Sequence, residues 1–258
     1  MGSFENVLKE ISKLQNNQMI GDSPRKFESP IVIIDPIDRN RNLGAAISIQ
    51  NVTAFILIAR NFLKKNSITY FKEKSEKRIS ADLAKNVLIV NFKYKKRSDD
   101  IIYGQIKRAA SSIESQMVKE GFNVLRNDVI AYNENKADLL FLLESPIISK
   151  NEIRTGPDVF STDYSSKFIH INSKKSKLMW TDKDGKLQTI QTRRYENAKL
   201  YLNDLIKNHI GESGIPKGLR SDFKNGFKIT TGKDKQNKSV KKSISKLITT
   251  DETAFSTS

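Results

Sequence analysis

Asp35, Asp38, Arg39 and Arg41 place two carboxylates and two guanidinium groups on one short stretch, with Pro36 between the acids and Asn40 and Asn42 interleaved. A guanidinium fork held in a fixed direction matches a phosphate or a nucleobase edge better than a mobile lysine does. Proline fixes its own φ and drives the residue before it out of the helical region, so Asp35-Pro36 is a stiff turn. The apolar, β-branched run Ile31 to Ile34 enters this turn, and Gly44 to Ala46 lead out of it into an amphipathic stretch. A strand and a helix must therefore position it. The structural alternative is that Asp35 and Asp38 cap that helix while Arg41 pairs with them.

Other chemistry-bearing residues are more dispersed. Lys107, Arg108 and Lys119 fall on one charged run, Arg154 precedes Gly156-Pro157, and Arg193 and Arg194 stand beside Tyr195. Guanidinium groups next to an aromatic ring are a recurrent RNA-binding combination. Each has a plain alternative: a wet helix face, a surface turn, or a tyrosine stapling the next helix. Trp180 and His170, the latter in Phe168-Ile169-His170-Ile171, read as core residues. The one Asp-x-Asp, Asp182-Lys183-Asp184, runs into Gly185 and reads as a hairpin turn rather than a metal site.

Composition narrows the classes. The chain has no cysteine and two histidines, which excludes disulfides and argues against thiolate or imidazole zinc sites. Lys and Arg number 45 against 29 Asp and Glu, a net +16 that favours a polyanionic partner. A lysine-rich proteome would give the same excess. No apolar run approaches the roughly 20 residues that span a bilayer, and Met1 to Gln18 has the pattern of neither a signal nor a transit peptide. A cytoplasmic protein is expected.

Periodicity gives the elements. Phe4, Val7, Leu8, Ile11 and Leu14 share a helical face, and Asn51 to Lys65 carries a second stripe through Val52, Phe55, Ile56, Ala59, Phe62 and Leu63. Residues 1–71 thus read as a helical domain. The charged stretch Lys72 to Lys85 is the expected boundary. Beyond it lie a strand at Val87 to Tyr94, a long helix at Asp99 to Glu120 stopped by Gly121, and a hairpin of Asn123 to Tyr132 with Ala137 to Glu144. A second hairpin around Asp184-Gly185 and a helix from Ala198 to Ile206 follow. This order predicts an α+β domain over residues 86–230, an antiparallel ferredoxin-like sheet with helices. The Lys/Ser/Thr-rich residues 231–258, with Lys233, Lys235, Lys238, Lys241, Lys242 and Lys246, are expected to be a disordered basic tail, plainly solvated or, alternatively, an auxiliary RNA-contacting arm.

Asp35, Pro36, Asp38, Arg41 and Asn42 resemble the D-P-x-D-x-x-R-N motif in the central domain of the class I, archaeal-type CCA-adding enzymes. Gly2-Ser3-Phe4-Glu5-Asn6 is similar to that domain's G-S-F-x-N helix start. Gly156-Pro157, Arg194-Tyr195 opening a late helix, and Lys217-Gly218-Leu219 also follow the family's order. The resemblance runs from Gly2 to about Ile229. It departs at Arg39, where relatives often carry proline.

This resemblance implies a tRNA-binding region of a tRNA nucleotidyltransferase that adds CCA to tRNA 3′ ends from CTP and ATP with Mg2+. Arg41 would read the incoming base and the phosphates of the RNA end, with Asp35, Asp38 and Asn42 supporting it. Lys107, Arg108, Arg154, Arg193, Arg194 and Tyr195 are candidates for gripping the tRNA acceptor and elbow. No catalytic or metal-binding residue is expected in the chain, since the family's nucleotidyltransferase head has no counterpart here. A fragment, a truncated gene model or a separately encoded half, inactive alone, is the expectation, and the family also admits a homodimer. Alternatives are a non-catalytic RNA-binding module derived from such an enzyme, or a truncated poly(A) polymerase relative.

Overall fold

The computed structural model describes residues 3–71, 81–234, 237–249 and 252–255. The chain divides into two compact units, Met1–Ser75 with Thr250–Ser258, and Glu76–Thr249. Most of the boundary expected at 72–85 lies outside the described residues.

In the first unit, Ser3 accepts a hydrogen bond from the Asn6 N–H and starts α1 (Phe4–Lys13). A parallel pair follows, β1 (Gln18–Ile20) and β2 (Ile31–Ile33), in register Gln18 to Ile31. Ser48 caps α2 (Ile49–Lys64) in the same way that Ser3 caps α1. Ile31, Val52 and Ile56 form the unit's core with Ile11, Leu14, Ile33 and Ile47 around them. The Arg60 Nε–H donates to the Ser12 carbonyl at 2.8 Å and ties α2 to the end of α1. A 3-10 turn (Ile68–Phe71) brings Tyr70 and Phe71 onto Phe62, with Phe4 beside Phe62 and Phe71.

The second unit opens with α3 (Ala81–Ala84) and β3 (Val87–Lys93). Then come α4 (Asp99–Glu120), β4 (Val124–Tyr132) and β5 (Lys136–Leu143). Next in the chain are β6 (Asn151–Asp158), α5 (Thr162–Asn172), β7 (Ser176–Thr181) and β8 (Lys186–Thr192), and then α6 (Ala198–Asn208), α7 (Lys217–Lys224) and β9 (Phe227–Thr231). The principal sheet is antiparallel, in the order β4-β5-β3-β9. That is the ferredoxin-like βαββαβ arrangement expected from the sequence, with β6-α5-β7-β8 inserted before its second helix as a separate sheet of order β6-β8-β7.

Alternation along β3 and β5 sends residues to two faces. Leu88, Val90, Phe92, Leu139 and Phe141 pack under α4, α6 and α7, while Val87, Ile89, Leu140 and Leu142 face the other way.

That second face is covered by α8 (Lys238–Ile248), which overturns the expected disordered tail. Val240, Ile244 and Leu247, at i, i+4 and i+7, are buried against it. Apolar burial outweighs a polar composition that by itself would leave the segment unfolded. Both ends are tied to β4: the Asn237 amide donates to the Tyr132 hydroxyl at 3.4 Å, and Arg126 Nη1 donates to the Leu247 carbonyl at 2.8 Å. Tyr132 in turn donates to the buried Asp138 carboxylate at 2.7 Å, and burial with this bond pushes its pKa up to about 12. A last short helix, α9 (Glu252–Phe255), belongs to the first unit, where the Asn61 amide donates to the Ala254 carbonyl.

His170 is also corrected. It is exposed on α5, whose buried side is polar, Ser165 and Asn172. Trp180 is half-buried on β7.

Candidate nucleic-acid interface

The turn after β2 is closed by its own acids. Asp35 Oδ1 accepts from the Ile37 N–H at 2.9 Å and the Asp38 N–H at 3.5 Å, and Asp38 Oδ1 accepts from the Asn40 N–H at 3.0 Å. The Asp35 N–H donates to the Arg41 carbonyl and the Arg41 N–H to the Asp38 carbonyl, at 3.0 and 2.9 Å. Neither acid caps α2, which starts at Ile49 behind Ser48; they hold a backbone loop instead. Asn42 then locks the loop to β2. Its Oδ1 accepts from the Ile33 N–H at 2.9 Å and the Gly44 N–H at 2.8 Å. Gly44 must be small, since a Cβ there would lie 2.8 Å from the Ile31 carbonyl oxygen.

With the carboxylates engaged by backbone, the arginines face outward. Arg41 is 68% exposed and its Nη1 lies 3.9 Å from Asp35 Oδ2, close enough to be steered and far enough to keep its donors open. Arg39 reaches Asp22 at 3.8 Å, and its carbonyl accepts from the Ser23 hydroxyl at 2.5 Å. Ile37 at the tip is 95% exposed. The arrangement is a rigid backbone corner with two cations pointing into solvent.

The second unit treats its arginines differently. Arg193 is only 18% exposed; its Nη1 donates to the Glu120 carbonyl at 2.7 Å and pairs with Glu152 at 3.2 Å. It caps the C-terminus of α4, beside Gly121, which stops the helix at φ 101° and leaves the room for the fork. A residue expected to grip RNA is thus turned inward. Glu120 is held above the usual carboxylate range by burial and by Glu152, while Arg193 pulls it back.

Arg194 is 69% exposed, sits over the Tyr195 ring at 5.1 Å and reaches Asp204 at 3.6 Å. The Tyr195 hydroxyl donates to Asp204, and its ring meets Tyr201 edge-on at 5.4 Å. Burial and Asp204 together push the phenol above its ordinary pKa. Tyr195 therefore staples α6, which starts at Ala198 behind Asn197.

Arg154 is exposed but pairs with Glu152 at 2.6 Å, and Gly156-Pro157 lie within β6 at a register shift rather than in a turn. Lys107 and Arg108 are exposed on α4, with Lys107 over the Tyr103 ring at 4.6 Å. Lys217-Gly218-Leu219 open α7, with Leu219 in the core. Sequence reading passed over Arg126, and it noted the lysines of α8 without the helix that carries them, although Val240, Ile244 and Leu247 had the helical spacing that could have found it. Among the described residues no group of three or more His, Asp or Glu could hold a metal ion, and no helix is long and apolar enough to cross a membrane.

Comparison with known proteins fits both units. Residues 84–232 match the C-terminal domain of the CCA-adding enzyme, and residues 1–72 match the second domain of tRNA nucleotidyltransferases. The chain is 30% identical over 214 residues to the CCA-adding enzyme of Pyrobaculum islandicum, an alignment covering 82% of this chain and 49% of that protein. It is 34% identical over 203 residues to the enzymes of Saccharolobus islandicus and Saccharolobus solfataricus, covering 77% of this chain and 47% of each. The chain spans about half the length of the curated relatives it matches. More than half of its residues lie within the C-terminal-domain match alone, and the chain therefore belongs to the CCA-adding enzyme family.

Proposed function

We propose that this chain is the tRNA-gripping part of a CCA-adding tRNA nucleotidyltransferase, holding the acceptor end and elbow while C and A are added from CTP and ATP. The observation that carries this reading is the ordered match of both units to the family, with Arg41 solvent-facing on a fixed corner. Duplex RNA would be held by backbone and shape rather than by base sequence.

On this reading Arg41 offers its fork to the terminal base and phosphates. Asp35 aims it through the 3.9 Å pairing, and Asn42 keeps the corner from unwinding. Arg194, Lys107 and Arg108 supply exposed positive charge on the second unit, whereas Arg193 and Tyr195 position structure. Nucleotidyl transfer in this class uses divalent metal held by clustered carboxylates. On this reading the metal would be held by the nucleotidyltransferase head that the family resemblance implies, and the work is done in the cytoplasm.

The test is binding of a tRNA lacking its terminal A across a salt series, alongside incorporation assays with CTP, ATP and Mg2+. Binding should weaken steeply with salt, and the chain alone should add no nucleotide. Salt-insensitive binding would overturn the tRNA-gripping role, and nucleotide addition would overturn the assignment of catalysis to another segment.

A further inference from the structure

Beyond residue 232, where the family match ends, α8 forms part of the second unit's packing. At about 100° per residue, Lys238, Lys242 and Lys246 fall away from Val240, Ile244 and Leu247 with Lys241 on the flank, and all four are exposed. Among the described residues none of them is in an ion pair. The first turn of the helix holds no acid, and Lys238 stands at the end where the helix dipole disfavours a cation. Lys246, in the last turn, suits the dipole, but helix stability does not explain the other three.

The neighbouring sheet surface adds lysines, with Glu134 paired to Lys136 and Asp234 near Lys228 among them. Lys228 pairs in register with Asn91, and Lys93 with Lys136, on the face that α8 covers at its other end. Lys93 and Lys228 are exposed, and Asn237 and Tyr132 join the start of α8 to this end of the sheet.

A basic amphipathic helix can also lie on a membrane or enter a protein groove, but either use needs its apolar face. Here that face is already buried against Ile89, Leu140 and Leu142, and Asn237 and Arg126 fasten both ends. What remains available is a row of lysines about 12 Å long at 1.5 Å per residue.

We propose that α8 is a phosphate-binding helix, presenting Lys238, Lys241, Lys242 and Lys246 to the backbone of an RNA strand, with Lys93 and Lys228 extending the track. This rests on the RNA-binding reading above and adds a site to it. Lysine acts there as a point charge, so the contact is independent of base sequence and released by salt.

The experiment compares the full chain with a variant carrying Lys238→Gln, Lys241→Gln, Lys242→Gln and Lys246→Gln, using tRNA from low to moderate salt. The log–log salt slope should fall by about three, with tRNA affinity at least tenfold weaker near 0.1 M salt. Arginine at the same four positions should restore both, and the pair Lys241→Gln, Lys242→Gln should show about half the slope change. A glutamine variant that binds tRNA with the parent's slope overturns the helix site and leaves the tRNA-gripping role standing. A parent chain that binds no tRNA overturns both. Cosedimentation with phosphatidylserine vesicles that the glutamine variant loses, with tRNA binding unchanged, would assign the helix to a lipid surface instead.

Discussion

Two arginine-bearing corners of this molecule look alike in sequence and differ in space. In Asp35 to Asn42 the carboxylates bind backbone N–H groups, and Arg39 and Arg41 are left 71% and 68% exposed. In Arg193 to Tyr195 the first arginine is drawn inward to 18% exposure, where the Glu120 carbonyl at the end of α4 takes its donor and Glu152, already paired with Arg154, offers its second oxygen. An arginine is left facing solvent only when no orphaned carbonyl or buried acid claims it first. The deciding partner need not be a neighbour in sequence: the Glu120 carbonyl is 73 residues away from Arg193.

The sharpest way to break this contrast is Arg193→Met. Removing the cation leaves Glu152 with Arg154 alone and the Glu120 carbonyl at the α4 terminus uncapped, and should lower unfolding stability by about 2 kcal/mol. Salt dependence of tRNA binding by the folded fraction should not change. A normal melting temperature with a shallower salt slope would reverse the assignment. The pH dependence has a definite sign. The Glu120 carboxyl is raised in the folded protein, so the stability it contributes is present below its unfolded value and lost as pH rises through the folded one. Arg193 lowers that pKa, so its loss widens the gap. The variant's deficit against the parent should therefore shrink as the pH is lowered through the acidic range, as read by denaturant melts.

Asn42→Ala tests the other corner's rigidity. It deletes the acceptor for two backbone donors, Ile33 and Gly44, and should cost the first unit about 2 kcal/mol. Binding should weaken as well, because Arg41 loses its fixed origin. Hydrogen exchange at the Ile33 amide would report the opening, and unchanged protection there would show that the corner is held otherwise. Arg41→Ala separates charge from scaffold. Its stability should stay within about 0.5 kcal/mol of the parent, and tRNA affinity should fall about tenfold, equivalent to 1.4 kcal/mol. Equal affinity for the alanine variant would remove Arg41 from the interface.

What the sequence disclosed followed the strength of its apolar pattern. The stripe through Val52, Ile56 and Ala59 gave α2, Asp99 to Glu120 gave α4 with its Gly121 stop, and the two hairpins fell where their turns were expected. Polar interiors weakened the signal. The buried side of α5 is Ser165 and Asn172, so no hydrophobic period marked that helix, and β8 buries Gln188, Thr189 and Gln191, so its hairpin with β7 was marked chiefly by the Asp184-Gly185 turn. For α8 the period was present in Val240, Ile244 and Leu247, but it was masked by the lysines between. Which arginine faces outward was not legible, since that depends on carbonyls and acids brought near only by the fold.

Arg194→Gln is the smallest and most discriminating change, because Arg194 adjoins Arg193 in sequence and resembles Arg41 in exposure. Its pairing with Asp204 at 3.6 Å is partly solvated, and its contact with Tyr195 is redundant to the Tyr195–Asp204 bond. Stability should therefore drop by no more than about 0.5 kcal/mol. If outward-facing guanidinium groups on both units contact RNA, the salt slope should fall by about one. An unchanged slope, with Arg41→Ala still weakening binding, would confine arginine recognition to the first corner. The second unit's share would then rest on its lysines.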